Sequence, residues 1–312
     1  MKRAIRAVLK MYRSAFQGRR SPASALHPGP SPAANVSAIP RIPEAESMRH
    51  AIVASLLLIA TAAPVVAAPT TVLMLGEVHD NAAGHAARLD LLRARVDAGL
   101  RPALVMEQFD REQQPLLDAA VSSCKDADCL IAQAGLAEWD WSLYRPLLQF
   151  ALDRQLPLLA ANVSRDDAAK AMRGGIAAVL DPATRTRFGL DAPLPEDIEA
   201  AQLSSVMQGH CNLLPEATAR KMIGAQLARD VWMARVLVDA LAQHPAAVLI
   251  AGNGHVRRDV GVVRWLPAAI ARTSESHGFV EGEAAPGEFD VVHVVAPQPR
   301  PDPCAAFAKT RH

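Results

Sequence analysis

The stretch VLMLGEVHDNAAGH, residues 72–85, is the part of the chain that decides the fold class. Four apolar residues are followed by a glycine, and Glu77, His79, Asp80 and His85 then lie within nine positions. A short apolar strand that ends in polar groups before a helix is typical of α/β proteins. The alternative is an ordinary strand-to-helix turn in which Glu77 or Asp80 only caps the helix.

The rest of the chain alternates short apolar runs with longer amphipathic ones, which predicts a mainly parallel β-sheet flanked by helices. The predicted strands are Thr71–Leu75, Ala103–Met106, Leu156–Ala160, Val248–Ala251 and Val291–Val295. The predicted helices are Ala82–Val96, Gln113–Ser122, Leu143–Arg154, Asp166–Met172, Glu196–Met207 and Glu216–Gln243. Pro182, Pro193 and Pro195 interrupt the middle region, so we interpret residues 165–244 as an inserted helical subdomain.

Polar side chains follow four of these predicted strands. They are Glu77, His79, Glu107, Asn162, Asn253 and His255. Ligands of parallel α/β sheets bind outside the carboxyl ends of the strands, so we expect these side chains to converge. Carboxylates and imidazoles serve in acid–base catalysis and in metal binding. We therefore predict Glu77, His79, Glu107 and His255 as catalytic residues, and Glu77, His79 and His255 as metal ligands.

Three further residues are candidates for holding a cofactor. Tyr144 lies in EWDWSLYRPLLQFA, residues 138–151, an aromatic stretch that is either core or part of a haem site in which a phenolate ligates iron. His210, within QGHC, is a second candidate ligand, with an ordinary packed histidine as the alternative. Arg257 follows His255 closely and suits an anionic ligand group such as a carboxylate.

Two other features of the helices bear on the site. His85 belongs to the first predicted helix, and we interpret it as a solvated residue rather than a partner of His79. Gln226 and Asp230 share one face of the long predicted helix and are expected to face the site.

Charge is distributed unevenly along the chain. Nine of the 33 Lys and Arg residues, but only two acidic residues, precede residue 50, so the remainder has a net charge of about −6. An acidic body excludes nucleic acid as the expected partner, because phosphate binding needs clustered basic residues. In residues 48–68 a basic start precedes thirteen uncharged residues and a Val-Ala-Ala end, which predicts a signal peptide cleaved after Ala68. Its apolar run is too short for a membrane span.

Residues 1–47 precede this predicted signal peptide. They include SPASALHPGPSPAANVSAIPRIP, which is rich in Pro, Ser and Ala and buries little apolar surface. Our hypothesis is that Met48 is the true start and that the upstream segment is a start-site artefact. The alternative is a disordered extension.

All four cysteines follow the predicted cleavage site. An even number of cysteines in an exported protein predicts disulfides. Cys124 and Cys129 enclose only four residues, so we expect them to pair locally. Cys211 and Cys304 would then form the second bridge and tie the C-terminal segment to the body of the domain.

Six segments occur in an order that resembles a known family. They are GEVHD, ALVMEQFD, the aromatic stretch with its W-x-x-Y, LAAN, AQLARDVWMA and AGNGHVRRDVGV. Together they resemble the ChaN-like haem-binding uptake proteins of the Tiki superfamily over residues 70–296. The resemblance implies a ChaN-like domain over 69–312, and a role in bacterial haem or iron acquisition. It also implies haem held at a homodimer through a tyrosine, for which Tyr144 is the only candidate after residue 68.

The same resemblance carries an alternative function. Erythromycin esterases and Tiki-type metal-dependent proteases belong to the wider superfamily, and their functional positions match Glu77, His79, Glu107 and His255. This implies a hydrolase that uses a divalent metal ion. Because no cysteine follows the apolar run of residues 48–68, a lipid anchor is not expected, and we predict a soluble periplasmic protein.

Overall fold

The computed structural model describes residues 72–302, 304 and 305, and their six strands form one parallel sheet. The strands are β1 (Val72–Leu75), β2 (Pro102–Asp110), β3 (Leu158–Asn162), β4 (Ala246–Ile250), β5 (Ser274–Val280) and β6 (Val291–Val294). Their order across the sheet is β3-β2-β4-β1-β5-β6, and every neighbouring pair is parallel. The predicted parallel α/β fold is therefore confirmed.

Ten α-helices accompany these strands within the described residues. They are α1 (Ala82–Asp97), α2 (Gln114–Ser123), α3 (Ala127–Ala134), α4 (Trp141–Asp153), α5 (Arg165–Gly174), α6 (Pro182–Arg187), α7 (Glu196–Gly209), α8 (Glu216–Leu241), α9 (Asn253–Val256) and α10 (Ala268–Thr273). Helices α5–α8 lie between β3 and β4, where the helical insertion was predicted. Throughout this part of the chain, no helix has both the length and the apolar composition that a membrane span requires.

The strand β1 is buried on both faces because it lies near the middle of a sheet covered by helices. Leu73 and Leu75 belong to one apolar core, which also contains side chains of α1 and α4. Val72 and Met74 point to the opposite face, where a second core includes Met233 and other residues of α8. The continuous apolar run of VLML thus reflects burial on two sides rather than a single buried face.

One strand was not predicted. The strand β5 has the sequence SESHGFV, which contains only two apolar residues and no apolar run. Its polar groups are nevertheless paired: Ser276 donates its backbone N–H to Asp290 (2.7 Å), and Arg258 donates to the Ser274 hydroxyl (2.9 Å). These partners are distant in sequence, so local periodicity does not reveal the strand.

Both predicted disulfides are confirmed. Cys124 is bonded to Cys129, and Cys211 is bonded to Cys304. The second bridge connects the end of α7 to the C-terminal segment that follows β6. Arg300 of that segment also pairs with Asp80, in the loop after β1, with N–O distances of 2.7 and 2.8 Å. The predicted signal peptide and the segment before it lie outside the described residues.

Candidate active site at the carboxyl edge of the sheet

The loops after β1 and β4 are locked together at the carboxyl edge of the sheet. Asn253 donates its backbone N–H to the carbonyl of Glu77 (2.9 Å), and Gly76 donates to the carbonyl of His277 (2.8 Å). Gly76 is required by close approach, because a Cβ at this position would lie 2.2 Å from the side-chain oxygen of Asn253 and 2.8 Å from Val256. This contact holds Glu77 and His79 in register with the segment that carries His255.

The carboxylate of Glu77 is buried and is the centre of a hydrogen-bond network. Its Oε1 accepts from His79 Nδ1 (2.8 Å), from Gln108 Nε2 (3.2 Å) and from the hydroxyl of Tyr144. Its Oε2 forms an ion pair with the buried guanidinium of Arg88. A buried carboxylate needs such compensation, because burial without partners is costly.

Arg88 lies on the inner face of α1, next to His85. The Nη2 of Arg88 is 3.0 Å from His85 Nδ1, and His85 Nε2 donates to the carbonyl of His79 (3.0 Å). Burial lowers the pKa of His85 to about 4, so the imidazole is neutral at pH 7. Our interpretation of His85 as a solvated residue is therefore wrong: it is buried and supports the loop of His79.

A second buried network is centred on His255. Its Nδ1 donates to Asp230 (2.5 Å), and its Nε2 lies 3.4 Å from Glu107. The amide of Gln226 is 3.0 Å from the same Nδ1, so both residues predicted on that face of α8 reach the site. Burial alone would lower the pKa of His255, but the Glu107 and Asp230 carboxylates raise it to about 10.

Glu107 joins the two networks. Its Oε2 accepts the backbone N–H of Gly252 (2.7 Å), while its Oε1 faces His255. Burial alone would raise the pKa of Glu107, but the charge and hydrogen bond of His255 hold it well below its usual range. Glu107 is thus an ionised carboxylate at neutral pH, deep within the carboxyl edge.

His79 is the most accessible imidazole of the site, with 33% of its side chain exposed. Burial of the remainder lowers its pKa, so the ring is neutral at pH 7. Because Nδ1 donates to Glu77, the lone pair is on Nε2. A Cβ on Gly252 would lie 3.0 Å from His79 Nε2 and 3.6 Å from Glu107 Oε2. The missing side chain of Gly252 thus leaves a small cradle between His79 and Glu107.

An aromatic ring and a cation border this cradle. The Trp139 ring packs edge-on against His79, with centroids 5.1 Å apart. Arg229, on α8, places Nη1 3.9 Å from Glu107 Oε1, and 27% of its side chain is exposed. Asp110 ends β2, the strand that also carries Glu107, and partial burial of its carboxyl raises its pKa to about 6. The cradle therefore has an aromatic wall, a basic wall and a neutral imidazole.

The structure brings Glu77, His79, Glu107 and His255 together, as the sequence indicates. Tyr144 joins them, but its side chain is buried and its hydroxyl donates inward to Glu77. His210 lies at the end of α7, where its Nδ1 donates to the carbonyl of Val206 (2.7 Å). The side chain of Arg257 is bound by Asp259 (2.6 and 2.9 Å) and by Glu288 (3.1 Å).

The remaining predicted residues are placed at the same edge. Asn162 ends β3, and its buried amide oxygen accepts no hydrogen bond from the part of the chain that the structure describes. Asn253 bridges to Phe279 of β5 through both side-chain atoms (2.6 and 3.1 Å), which is a structural role. Sequence reasoning missed Arg88 and Gln108. The sequence does contain a signal for Arg88: it is a charged residue on the apolar face of α1 that also carries Leu89 and Leu92.

The predicted metal set does not form a metal-binding cluster in this arrangement. Across residues 72–302, 304 and 305, no group of three or more His, Cys, Asp or Glu side chains is arranged to hold a metal ion. Glu77 already accepts from three donors and pairs with Arg88, while His255 Nδ1 is bound to Asp230. Glu77 and His255 are therefore already bound to other side chains of the protein.

The protein is thus a parallel α/β protein in which imidazoles, carboxylates and an arginine gather at the sheet edge where such folds bind their ligands. The chain belongs to the family described as "Haem-binding uptake, Tiki superfamily, ChaN", which matches residues 66–266. That match covers more than half of the chain and contains all four residues predicted as catalytic. No curated protein matches the chain.

Two solved structures are similar to this chain. One, described as "Cofacial heme binding to ChaN of Campylobacter jejuni", is 18% identical, covers 71% of this chain and 87% of its own, and has a TM-score of 0.55. The other, a mutant of the erythromycin esterase EreC in its open conformation, is 17% identical, covers 67% and 70% of the two chains, and has a TM-score of 0.41. An identity of 18% with the Campylobacter jejuni structure supports a shared fold and nothing further.

Proposed function

We propose that the protein is an exported haem-binding protein of bacterial haem or iron acquisition. The observation that carries this proposal is the arrangement of His79 at the open edge of a domain of the ChaN family. Its Nδ1 is held by the buried Glu77 carboxylate at 2.8 Å, and its Nε2 keeps a lone pair beside Trp139. A carboxylate that holds one nitrogen of a histidine orients the ring and raises the basicity of the other nitrogen toward a metal.

Two donors of this chain are candidates for the iron of haem. His79 fits as it stands, because a third of its side chain is exposed. Tyr144, which the family resemblance implies, does not fit in the present arrangement: burial raises the pKa of its hydroxyl, and that hydroxyl donates to Glu77. Ligation by Tyr144 requires it to leave Glu77 and lose its proton. His210 and Arg257 stay predictions as cofactor-binding residues.

The test is a titration of the purified protein with haem, followed by absorbance. We expect a saturable shift of the Soret band, and comparison of His79→Ala with Tyr144→Phe identifies the iron ligand by the variant that changes the spectrum. His244→Ala is the control, because His244 precedes β4 at the opposite, amino-terminal edge of the sheet. A titration without a saturable shift would refute the proposal.

The proposal of export rests on the signal-peptide pattern of residues 48–68 and is supported by the two disulfides, which persist in oxidising compartments such as the periplasm. Sequencing the N-terminus of the protein from a periplasmic fraction tests it, with Pro69 as the expected first residue. The unprocessed precursor distinguishes a start at Met48 from a start at Met1. We also propose that haem is held at a homodimer, as the family resemblance implies. Sedimentation with and without haem tests this.

A hydrolase is the second candidate, and a specific observation favours it. His79 has a lowered pKa and His255 a raised one, and both face Glu107. One site then contains both an imidazole that can act as a base and an imidazole that carries a positive charge, an arrangement found in hydrolytic sites. His79 Nε2 would accept a proton from water as the water oxygen adds to the carbonyl carbon of an ester, and His255 would stabilise the negative charge on the carbonyl oxygen. When the ester C–O bond breaks, His79 would return the proton to the leaving alkoxide.

Two measurements separate this second candidate from haem binding. The first is hydrolysis of a panel of carboxylic esters, which must be lost in His79→Ala and kept in His244→Ala. The second is metal analysis of protein purified without chelator, since a stoichiometric divalent ion would favour the metal-dependent form of the reaction. Ester turnover that survives in His79→Ala would exclude His79 as the base.

A further inference from the structure

The three arginines near the site differ in how many of their N–H donors are bound by carboxylates. Arg88 is buried against Glu77, and Arg257 is bound by two carboxylates at the surface. For Arg229, the one carboxylate within 4 Å among the described residues is Glu107, at 3.9 Å, which is too long for a direct hydrogen bond. The guanidinium of Arg229 therefore keeps its donors available.

Glu107 does not depend on Arg229 for neutralisation. Its two oxygens are already engaged by the backbone N–H of Gly252 (2.7 Å) and by His255 (3.4 Å). Arg229 is therefore not required to neutralise Glu107, although keeping a cation half-buried costs free energy. This makes Arg229 available to a negatively charged group that arrives from outside.

The position of Arg229 on α8 is fixed by its neighbours. Ala228 and Asp230 are fully buried on either side of it, and Asp230 is hydrogen-bonded to His255. The exposed 27% of the Arg229 side chain thus lies at a defined place at the border of the cradle. An arginine presents a planar fork of N–H donors that matches a carboxylate in two parallel hydrogen bonds.

We propose that Arg229 binds a carboxylate of the ligand and that, in the haem complex, this carboxylate is a propionate. This inference rests on the proposed function and adds to it the residue that selects for an acidic ligand. It differs from the expectation from sequence, in which Arg257 has this role. The guanidinium of Arg257 would have to leave Asp259 and Glu288 before it could bind an anion.

The experiment compares iron protoporphyrin IX with its dimethyl ester, in which both propionates are uncharged. Binding of each to the full chain is followed by absorbance and by quenching of tryptophan fluorescence. Charge-assisted hydrogen bonds are stronger than neutral ones, so we expect the wild-type protein to bind the free acid about tenfold more tightly than the ester. In Arg229→Gln the two affinities should become nearly equal.

Three variants serve as comparisons. Arg229→Lys keeps the charge but not the fork, so it should keep a smaller preference for the free acid, and it guards against misfolding of Arg229→Gln. Arg220→Gln lies on the same helix but pairs with Glu199 and Glu216, and it should keep the full preference. Arg257→Gln tests the rival residue.

Each outcome bears on the inference. A wild-type preference for the free acid that is lost in Arg229→Gln and kept in Arg220→Gln and Arg257→Gln supports it. Equal binding of acid and ester by the wild type, or a preference that survives in Arg229→Gln, overturns it while leaving haem binding intact. If the wild type binds neither compound, the proposed function fails, and the inference fails with it.

Discussion

His79 and His255 face the same carboxylate, Glu107, but at neutral pH the ring of His79 is neutral and that of His255 is a cation. Burial lowers the pKa of His79, whereas Glu107 and Asp230 raise the pKa of His255 to about 10. The difference follows from the surroundings of each ring: burial has the largest effect on His79, whereas His255 lies between the two carboxylates of Glu107 (3.4 Å) and Asp230 (2.5 Å). One site therefore contains a neutral imidazole that is a donor of electron pairs and a cationic imidazole that is not.

The raised pKa of His255 predicts a pH dependence of stability. Because the folded pKa is above the ordinary value of 6.5, this stabilisation is complete below pH 6.5 and is lost as the pH rises through about 10. We expect the free energy of unfolding to fall between pH 6.5 and 10 in urea denaturation. His255→Gln should be less stable throughout and should show a flatter profile, and an unchanged slope would contradict the assignment.

Removal of the Glu77 charge should be severe. Glu77→Gln leaves the buried guanidinium of Arg88 without a carboxylate, so we expect a loss of about 3–5 kcal/mol in the free energy of unfolding. Glu77→Gln combined with Arg88→Met removes both charges, keeps an amide oxygen that accepts from Tyr144 and Gln108, and should recover much of that loss. A double variant no more stable than Glu77→Gln would show that the ion pair is not the main stabilising contact.

Loss of the Tyr144 hydroxyl should be milder. In Tyr144→Phe, Glu77 keeps His79, Gln108 and Arg88 as partners, so we expect a loss of about 1–2 kcal/mol. Thermal and urea denaturation measure it. A change below about 0.5 kcal/mol would mean that the hydrogen bond to Glu77 contributes little.

The cradle can be filled by one methyl group. Gly252 has a φ of −55°, which alanine adopts without strain, so Gly252→Ala should fold with a loss of about 1 kcal/mol. Its Cβ should nevertheless displace the His79 ring and weaken haem binding or ester hydrolysis. Gly254→Ala is the matched control, because no atom lies within 4 Å of a Cβ there. Equal behaviour of the two variants would argue against a functional cradle.

The two disulfides should differ in their contribution to stability. Cys211 and Cys304 are 93 residues apart, whereas Cys124 and Cys129 are five apart. The loss of loop-closure entropy predicts about 4–5 kcal/mol for the long loop and about 2 kcal/mol for the short one. Paired Cys→Ser variants, compared by urea denaturation, test the order. A larger effect of the short bridge would contradict it.

The sequence predicts this site well where a residue lies within four positions of the end of an apolar run, as Glu77, Glu107 and His255 do. It predicts poorly where a group is buried by contacts from distant segments. The strand β5 has no apolar run, and its polar residues Ser276 and His277 are instead paired with Asp290 and His293, which lie later in the chain. The availability of Arg229 is of the same kind, since only the fold shows that Glu107 is already paired and that Arg257 is not free.

The position of β1 has a consequence for the order in which the chain is made. Val72 pairs with Ala247 on one side and with Ser274 on the other. A chain synthesised or translocated from its N-terminus therefore carries its first strand without either neighbour until almost all of the domain has emerged. Such non-local pairing slows folding and exposes an apolar strand in the meantime. On the proposed export route, this topology would keep the chain unfolded, and so competent for translocation, until its fourth and fifth strands had emerged.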